Sequence, residues 1–177
     1  MNIQKLKNPK TQSYQSFKEF ILSDQFFWYW NSVSLPLAPQ YDATLYKNVP
    51  FYSHTFLERP ETTVSKIPRM LCPNYEAACT VLLEILSYNK VSVNSFLRIN
   101  ANCVHPENEV VNTVPHTDHH YTHNNVILYL TNAGGEIVVN GEAHNPKEDD
   151  VILFGGLEHY IRTPKKDRRI ILIATFF

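Results

Sequence analysis

From residue 91 to the C-terminus the chain breaks into short β-prone runs separated by turn formers, and no run is long enough to bury a face alone. The runs are 91–100, 109–114, 125–130, 136–139, 142–144, 150–154, 158–162 and 169–176, rich in Val, Ile and Thr. Short strands at such close intervals are stable only when two sheet faces close on each other, so the pattern demands a sandwich or barrel. Asn140-Gly141 stands between two of the runs. That pair favours a type I′ turn, because both positions accept positive φ, and so predicts a hairpin.

The first half reads differently. Proline punctuates residues 31–70, at 36, 39, 50, 60 and 68, which predicts mostly loop with one strand near 51–57. A helix is expected over 74–88, where Ala78, Leu82, Ile85 and Leu86 share one face after Pro73 and Asn74. Shorter amphipathic helices are expected at 16–22 and 26–30. The aromatic run from Phe26 to Trp30 suits the place where a helix covers a sheet. The expected architecture is mainly β with N-terminal helices packed on one sheet. The length of 177 residues fits one domain, 1–177, and a hydrophobic content of 44% supports a sizeable core.

Charge and cysteine usage narrow the function classes. Sixteen basic and seventeen acidic side chains leave a net charge of −1, so no nucleic-acid partner is expected. No run is long enough for a membrane-spanning helix, and the N-terminal residues lack the apolar stretch of a signal peptide. Three cysteines, 72, 79 and 103, are odd in number and form no CxxC pair, which favours a reducing compartment. The expectation is a cytoplasmic protein. Its oligomeric state is not legible in the sequence.

Chemistry concentrates between 105 and 123, which holds five of the eight histidines. His116 and Asp118, two apart on extended chain, project to one face and offer a divalent metal two ligands. His144 and His159 are the candidates for a third, and the two glycines before His159 permit a close backbone approach. Two histidines and one carboxylate leave coordination positions open and suit non-haem Fe(II) oxygen chemistry, whereas a structural zinc site takes four protein ligands. A dianionic 2-oxo acid chelating such a metal would need a cation for its far carboxylate. Arg168 and Arg169, on opposite faces of the last strand, are the candidates. The spacing of His116 and His120 is that of a zinc hydrolase, but Thr117 stands where the glutamate is required.

His116-Thr117-Asp118, then His159, then Arg169 resembles the HxD…H…R/K pattern of the Fe(II)/2-oxoglutarate-dependent dioxygenases, and more narrowly their prolyl 4-hydroxylase-like branch. Arg98 to Asn102 resembles the strand before the metal motif, Gly134-Gly135-Glu136 the family's GGE turn, and residues 150–154 the strand leading to the distal histidine. The resemblance covers about 91–177. It implies a double-stranded β-helix, or jelly roll, in 91–177, with 1–90 supplying helices and substrate-side loops. It implies Fe(II) on His116, Asp118 and His159, and 2-oxoglutarate held by Arg169, with Arg168 the alternative and Tyr129 a second contact. It also implies O2 as co-substrate and hydroxylation of an unactivated C–H bond with release of succinate and CO2. The substrate would be a peptide or a small molecule, with a peptidyl prolyl residue the branch's usual target. Ile171 departs from the small hydroxylated residue the family often carries there. A cupin-like metal protein without 2-oxoglutarate chemistry and a catalytically silent binding module are the alternatives. His119, His120, Tyr121 and His123 read as a polar loop, His144 as a surface strand residue, and 35–52 as a lid that shapes substrate choice.

Overall fold

The computed structural model describes residues 3–33 and 38–177. In chain order the elements are β1 (Gln4–Leu6), α1 (Gln12–Leu22), β2 (Tyr29–Asn31), β3 (Tyr46–Lys47), β4 (Phe51–Glu58), β5 (Arg69–Met70) and α2 (Tyr75–Tyr88). They continue with β6 (Phe96–Val104), β7 (Asn112–Thr113), β8 (Asn124–Tyr129), β9 (Ile137–Val139), β10 (Glu142–His144), β11 (Val151–Gly155), β12 (His159–Ile161) and β13 (Arg169–Phe176).

The major sheet is antiparallel, in the order β1-β11-β8-β13-β6-β4-β2, with β5 on the edge of β4. The minor sheet runs β10-β9-β12. Antiparallel bridges from Asn112 to Arg162 and from His116 to His159 extend it, and β3 adds to β7 in parallel. Two facing sheets wound from alternating strands make a double-stranded β-helix. The β9–β10 hairpin turns at Asn140 and Gly141, both at positive φ (46° and 83°), as the type I′ turn requires.

Alternation along the central strands divides the core in two. On β13, Ile170, Leu172, Ala174 and Phe176 face outward into a cluster with Val126, Leu128, Ile99 and Ala101. Tyr14, Phe17 and Ile21 of α1 and Ala78, Val81, Leu82, Ile85 and Leu86 of α2 cover that cluster, each set at helical spacing. The inward face carries Ile171 and Ile173, packed with Ile127, Tyr129, Ile137, Val139, Ile152 and Phe154 between the two sheets.

Three expectations need correction. Residues 26–30 are not helical: Phe26 and Trp28 pack inward, Phe27, Tyr29 and Trp30 are exposed, and Tyr29–Asn31 form β2, paired with β4. The strand expected from 91 starts at Phe96. Val91 instead closes the end of α2, where Lys90 adopts positive φ and the Lys90 and Val91 amides donate to the Ser87 and Leu86 carbonyls in a Schellman motif. The run at 109–114 shortens to Asn112–Thr113.

Candidate metal centre

His116 and His159 lie directly opposite each other on adjacent strands and exchange both backbone hydrogen bonds, at 3.0 and 2.9 Å. Directly paired residues present their side chains on the same face, and the two rings are 4.5 Å apart. Each ring donates from Nδ1 to the carbonyl two residues earlier: His116 to Val114 at 3.2 Å, His159 to Leu157 at 2.9 Å. A carbonyl can only accept, so each Nδ1 carries the hydrogen and each Nε2 keeps its lone pair for a metal. Asp118 follows at spacing two. One donor atom each from His116, Asp118 and His159 lies within 4.8 Å of the others.

Asp118 is held from three directions. Arg98 Nη1 donates to Oδ1 at 2.7 Å, and Arg59 Nη1 donates to the Asp118 carbonyl at 3.0 Å. His119, the next residue, bridges Glu61 (Nδ1 to Oε1, 2.6 Å) and Thr175 (Nε2 to Oγ1, 2.8 Å). Asp118 Oδ2 remains buried without a hydrogen-bond partner, 3.5 Å from His159 Nε2. Burial would raise this carboxyl, but Arg98, His159 and His116 outweigh it and hold the carboxyl well below its ordinary range. Burial, reinforced by His159, pushes His116 down to about 4. Burial also draws Arg98 down to about 10, which leaves it charged at neutral pH.

A cavity of about 190 Å³ opens beside these groups. Its polar lining includes His116, Asp118, His159, Arg59, Arg98, Asn102 and Arg169; Ile127, Ile137, Ile161, Ile171 and Ile173 form much of the apolar wall. Arg169 is 2% exposed. Its Nε donates to the Gly135 carbonyl at 3.0 Å, and its Nη2 is buried with no partner. Gly135, in the GGE turn, is at φ +78°, and a Cβ there would stand 2.6 Å from Arg169 Cδ. The turn needs glycine both for its backbone and for the passage of the guanidinium. Tyr129 does not line the cavity; its ring centre lies 5.1 Å from the Arg169 guanidinium carbon, and its hydroxyl is buried without a partner. Arg168 is exposed, outside the cavity.

These open groups suit the cofactors that the residue pattern implies. A buried, unpartnered carboxylate oxygen and two imidazole lone pairs are a donor set for a divalent cation. Arg169, on the cavity wall, has a buried donor, Nη2, that lacks an acceptor, which a carboxylate would supply.

Two of the neighbouring histidines are not solvated, while His120 is, and Tyr121 is half-buried. His119 and His123 are buried, His120 is exposed, and none of the three lines the cavity. His123 donates to the Tyr121 carbonyl and packs on Gly156, where a Cβ would meet its ring at 2.5 Å, so the glycine before His159 makes room for an imidazole. His144 is buried as well, its ring 5.8 Å from that of Tyr129. Within 35–52, residues 35–37 lie outside the described residues. Of the remainder, Val49 and Phe51 line the cavity, and Tyr41 donates to Glu158 at 2.7 Å. Sequence reasoning missed Arg59 altogether and gave Arg98 no role. Arg98, Asn100 and Asn102 alternate with Leu97, Ile99 and Ala101, a polar stripe that marks the inward face of β6. Arg59 follows β4 in a loop and carries no comparable signal.

None of the known family models matches the chain, and no curated protein is similar to it in sequence. Solved structures are similar in fold. One is an oxidoreductase of the 2OG-Fe(II) oxygenase family from Burkholderia pseudomallei, with a TM-score of 0.60 and 17% identity over 77% of this chain and 69% of that one. Another is a prolyl hydroxylase from Trichoplax adhaerens, solved with a peptide fragment of the hypoxia inducible factor oxygen degradation domain. Its TM-score is 0.58, with 10% identity over 99% of this chain and 83% of that one. At these identities the likeness is one of fold. Among the described residues no helix is long and apolar enough to cross a membrane.

Proposed function

We propose that the protein is an Fe(II)- and 2-oxoglutarate-dependent oxygenase that hydroxylates an unactivated C–H bond, of a peptidyl prolyl residue or a small molecule, in the cytoplasm. The observation that carries the reading is the pairing, on one small cavity, of the His116–Asp118–His159 cluster with the buried, half-free guanidinium of Arg169. A cupin-like metal protein has no use for that guanidinium, and a silent binding module has no use for a buried carboxylate oxygen aimed at two lone pairs. The fold shared with 2OG-Fe(II) oxygenases supports the same reading.

Fe(II), bound with 2-oxoglutarate and O2, would supply oxidative decarboxylation to succinate and CO2 coupled to hydroxylation. His116 and His159 would ligate through Nε2, their tautomers set by the Val114 and Leu157 carbonyls. Arg98 occupies Asp118 Oδ1 and leaves Oδ2 as the ligand atom. Arg169, aimed by the Gly135 carbonyl, would take the far carboxylate of 2-oxoglutarate with Tyr129 behind it, and the isoleucine wall would keep water from the reacting centre. Ile171 leaves the co-substrate one hydroxyl contact fewer than the family pattern provides.

The test is anaerobic titration of purified protein with Fe(II) and then 2-oxoglutarate, followed by visible absorption. A charge-transfer band that needs both additions and is lost in Asp118→Ala is the expected result. Metal binding with no band on adding 2-oxoglutarate would overturn the proposal in favour of a cupin-like protein.

A further inference from the structure

The charge inventory of the cavity exceeds what this chemistry uses. Fe(II), the 2-oxoglutarate dianion, Asp118 and Arg169 cancel one another. Arg59 and Arg98 then leave two positive charges on a cavity of about 190 Å³. Arg98 has a structural task on Asp118 Oδ1. Arg59 is held more loosely: among the described residues its side chain makes one hydrogen bond, to the Asp118 carbonyl, and Asp118 Oδ1, 3.5 Å away, is already engaged by Arg98. Its neighbours in sequence offer no relief. Glu58 is engaged by Arg69, with contacts of 3.0 and 2.6 Å, and Glu61 by His119 at 2.6 Å. The Arg59 side chain is 31% exposed and lines the cavity together with Phe51 and Thr117. A guanidinium at a partly desolvated rim, with most of its fork unused, is a receptor for a two-oxygen anion. A partly desolvated charge that shares its carboxylate with Arg98 costs stability that an anionic ligand would return.

We infer that Arg59 is a substrate-binding residue and that the substrate is a small molecule carrying a carboxylate or phosphate, docked so that its reacting C–H enters the cavity. The inference rests on the oxygenase reading and narrows its substrate class away from an uncharged prolyl residue in a peptide. The cavity size agrees, since ligand pockets commonly run to about 300–1,000 Å³ and this one has room for little beyond the co-substrate and a reacting group.

The experiment uses full-length protein loaded with Mn(II) and saturating 2-oxoglutarate. Inorganic phosphate and acetate are the probes, with acetamide as the neutral control. Paramagnetic relaxation of the phosphate ³¹P and acetate ¹³C signals reports binding near the metal, and the 2-oxoglutarate ¹³C signals in the same sample report co-substrate binding. The expected result is saturable relaxation by at least one anion and none by acetamide. Arg59→Gln should weaken that anion at least tenfold and leave 2-oxoglutarate affinity unchanged, while Arg59→Lys falls between. Phosphate alone or acetate alone would identify the substrate's anionic group. Absence of saturable relaxation by either anion while 2-oxoglutarate binds would overturn this inference and leave the oxygenase reading standing. An Arg59→Gln protein that loses metal and 2-oxoglutarate affinity together with the anion would also overturn it, by making Arg59 a strap on the Asp118 loop. Failure of 2-oxoglutarate to bind the wild type would overturn both.

Discussion

The two faces of β13 belong to the same eight residues yet obey opposite rules. Outward, Ile170, Leu172, Ala174 and Phe176 are apolar, buried and covered by α1 and α2, and among the described residues no buried side-chain nitrogen or oxygen of that cluster lacks a partner. Inward, Arg169 and Thr175 interrupt the isoleucines, and the surrounding interior holds buried polar atoms on Asn100, Asn102, Asp118, Tyr129 and Arg169 with no partner. Polar groups without protein partners add little to the stability of the fold, which another face must supply. The helix-covered face is that supply, and the cavity face is free to be incomplete.

Substitutions on the two faces should therefore separate stability from chemistry. The largest effect falls on chemistry: Asp118→Ala removes a ligand worth several kcal/mol of catalysis, about 10³-fold or more in turnover of 2-oxoglutarate. Assay of succinate release checks it, and retention of more than a tenth of the activity would break the comparison from the cavity side. Leu172→Ala, on the covered face and 0% exposed, should cost about 2–5 kcal/mol in urea unfolding while leaving 2-oxoglutarate affinity of the folded protein unchanged.

Smaller effects sharpen the division. Arg169→Ala should weaken 2-oxoglutarate by about 10–150-fold, the worth of a charged hydrogen bond of roughly 1.5–3 kcal/mol, whereas Arg168→Ala should leave it unchanged. Equal effects would contradict the placement of the two arginines on opposite faces. The metal-free protein should also lose stability on acidification. His116 is held near 4 when folded and titrates near its ordinary value when unfolded, so the unfolded chain takes up the proton first. Stability then falls from about pH 6.5 to about pH 4. Below that, protonation of the unfolded-state counterpart of Asp118, whose native carboxyl is held low, deepens the loss. Thermal melting across that range, with His116→Gln flattening the upper part, measures it. The least effect separates two adjacent glycines. Gly134 and Gly135 are both at positive φ, so alanine at Gly134 should cost about 1–2 kcal/mol and alanine at Gly135 at least as much. Only Gly135→Ala should also weaken 2-oxoglutarate, because only there does a Cβ meet Arg169.

Much of the site was legible because its signals are local. His116 and Asp118 are two apart on extended chain, and Arg169 opens an alternating strand, so their shared directions follow from strand geometry. What was not legible depends on contacts distant in sequence. The buried state of His119 and His123 comes from Glu61, Thr175 and Gly156 closing around them, and a histidine-rich stretch reads as polar until those partners are seen. The Phe26–Trp30 segment misled for a related reason: five aromatic residues fit either period, and pairing with β4 decided for the strand.

The sequence by itself determined the alternation of the strands, the hairpin at Asn140-Gly141, the helix ending at Tyr88 and the candidates for the metal, since each follows from steric preferences within a few residues. The tertiary structure alone decided that His159 lies opposite His116, and that Arg59 and Arg98 converge on Asp118 from two other elements. Those meetings span from about twenty to nearly sixty residues of chain, and only the packing of both sheets around one core sets which distant side chains share a wall.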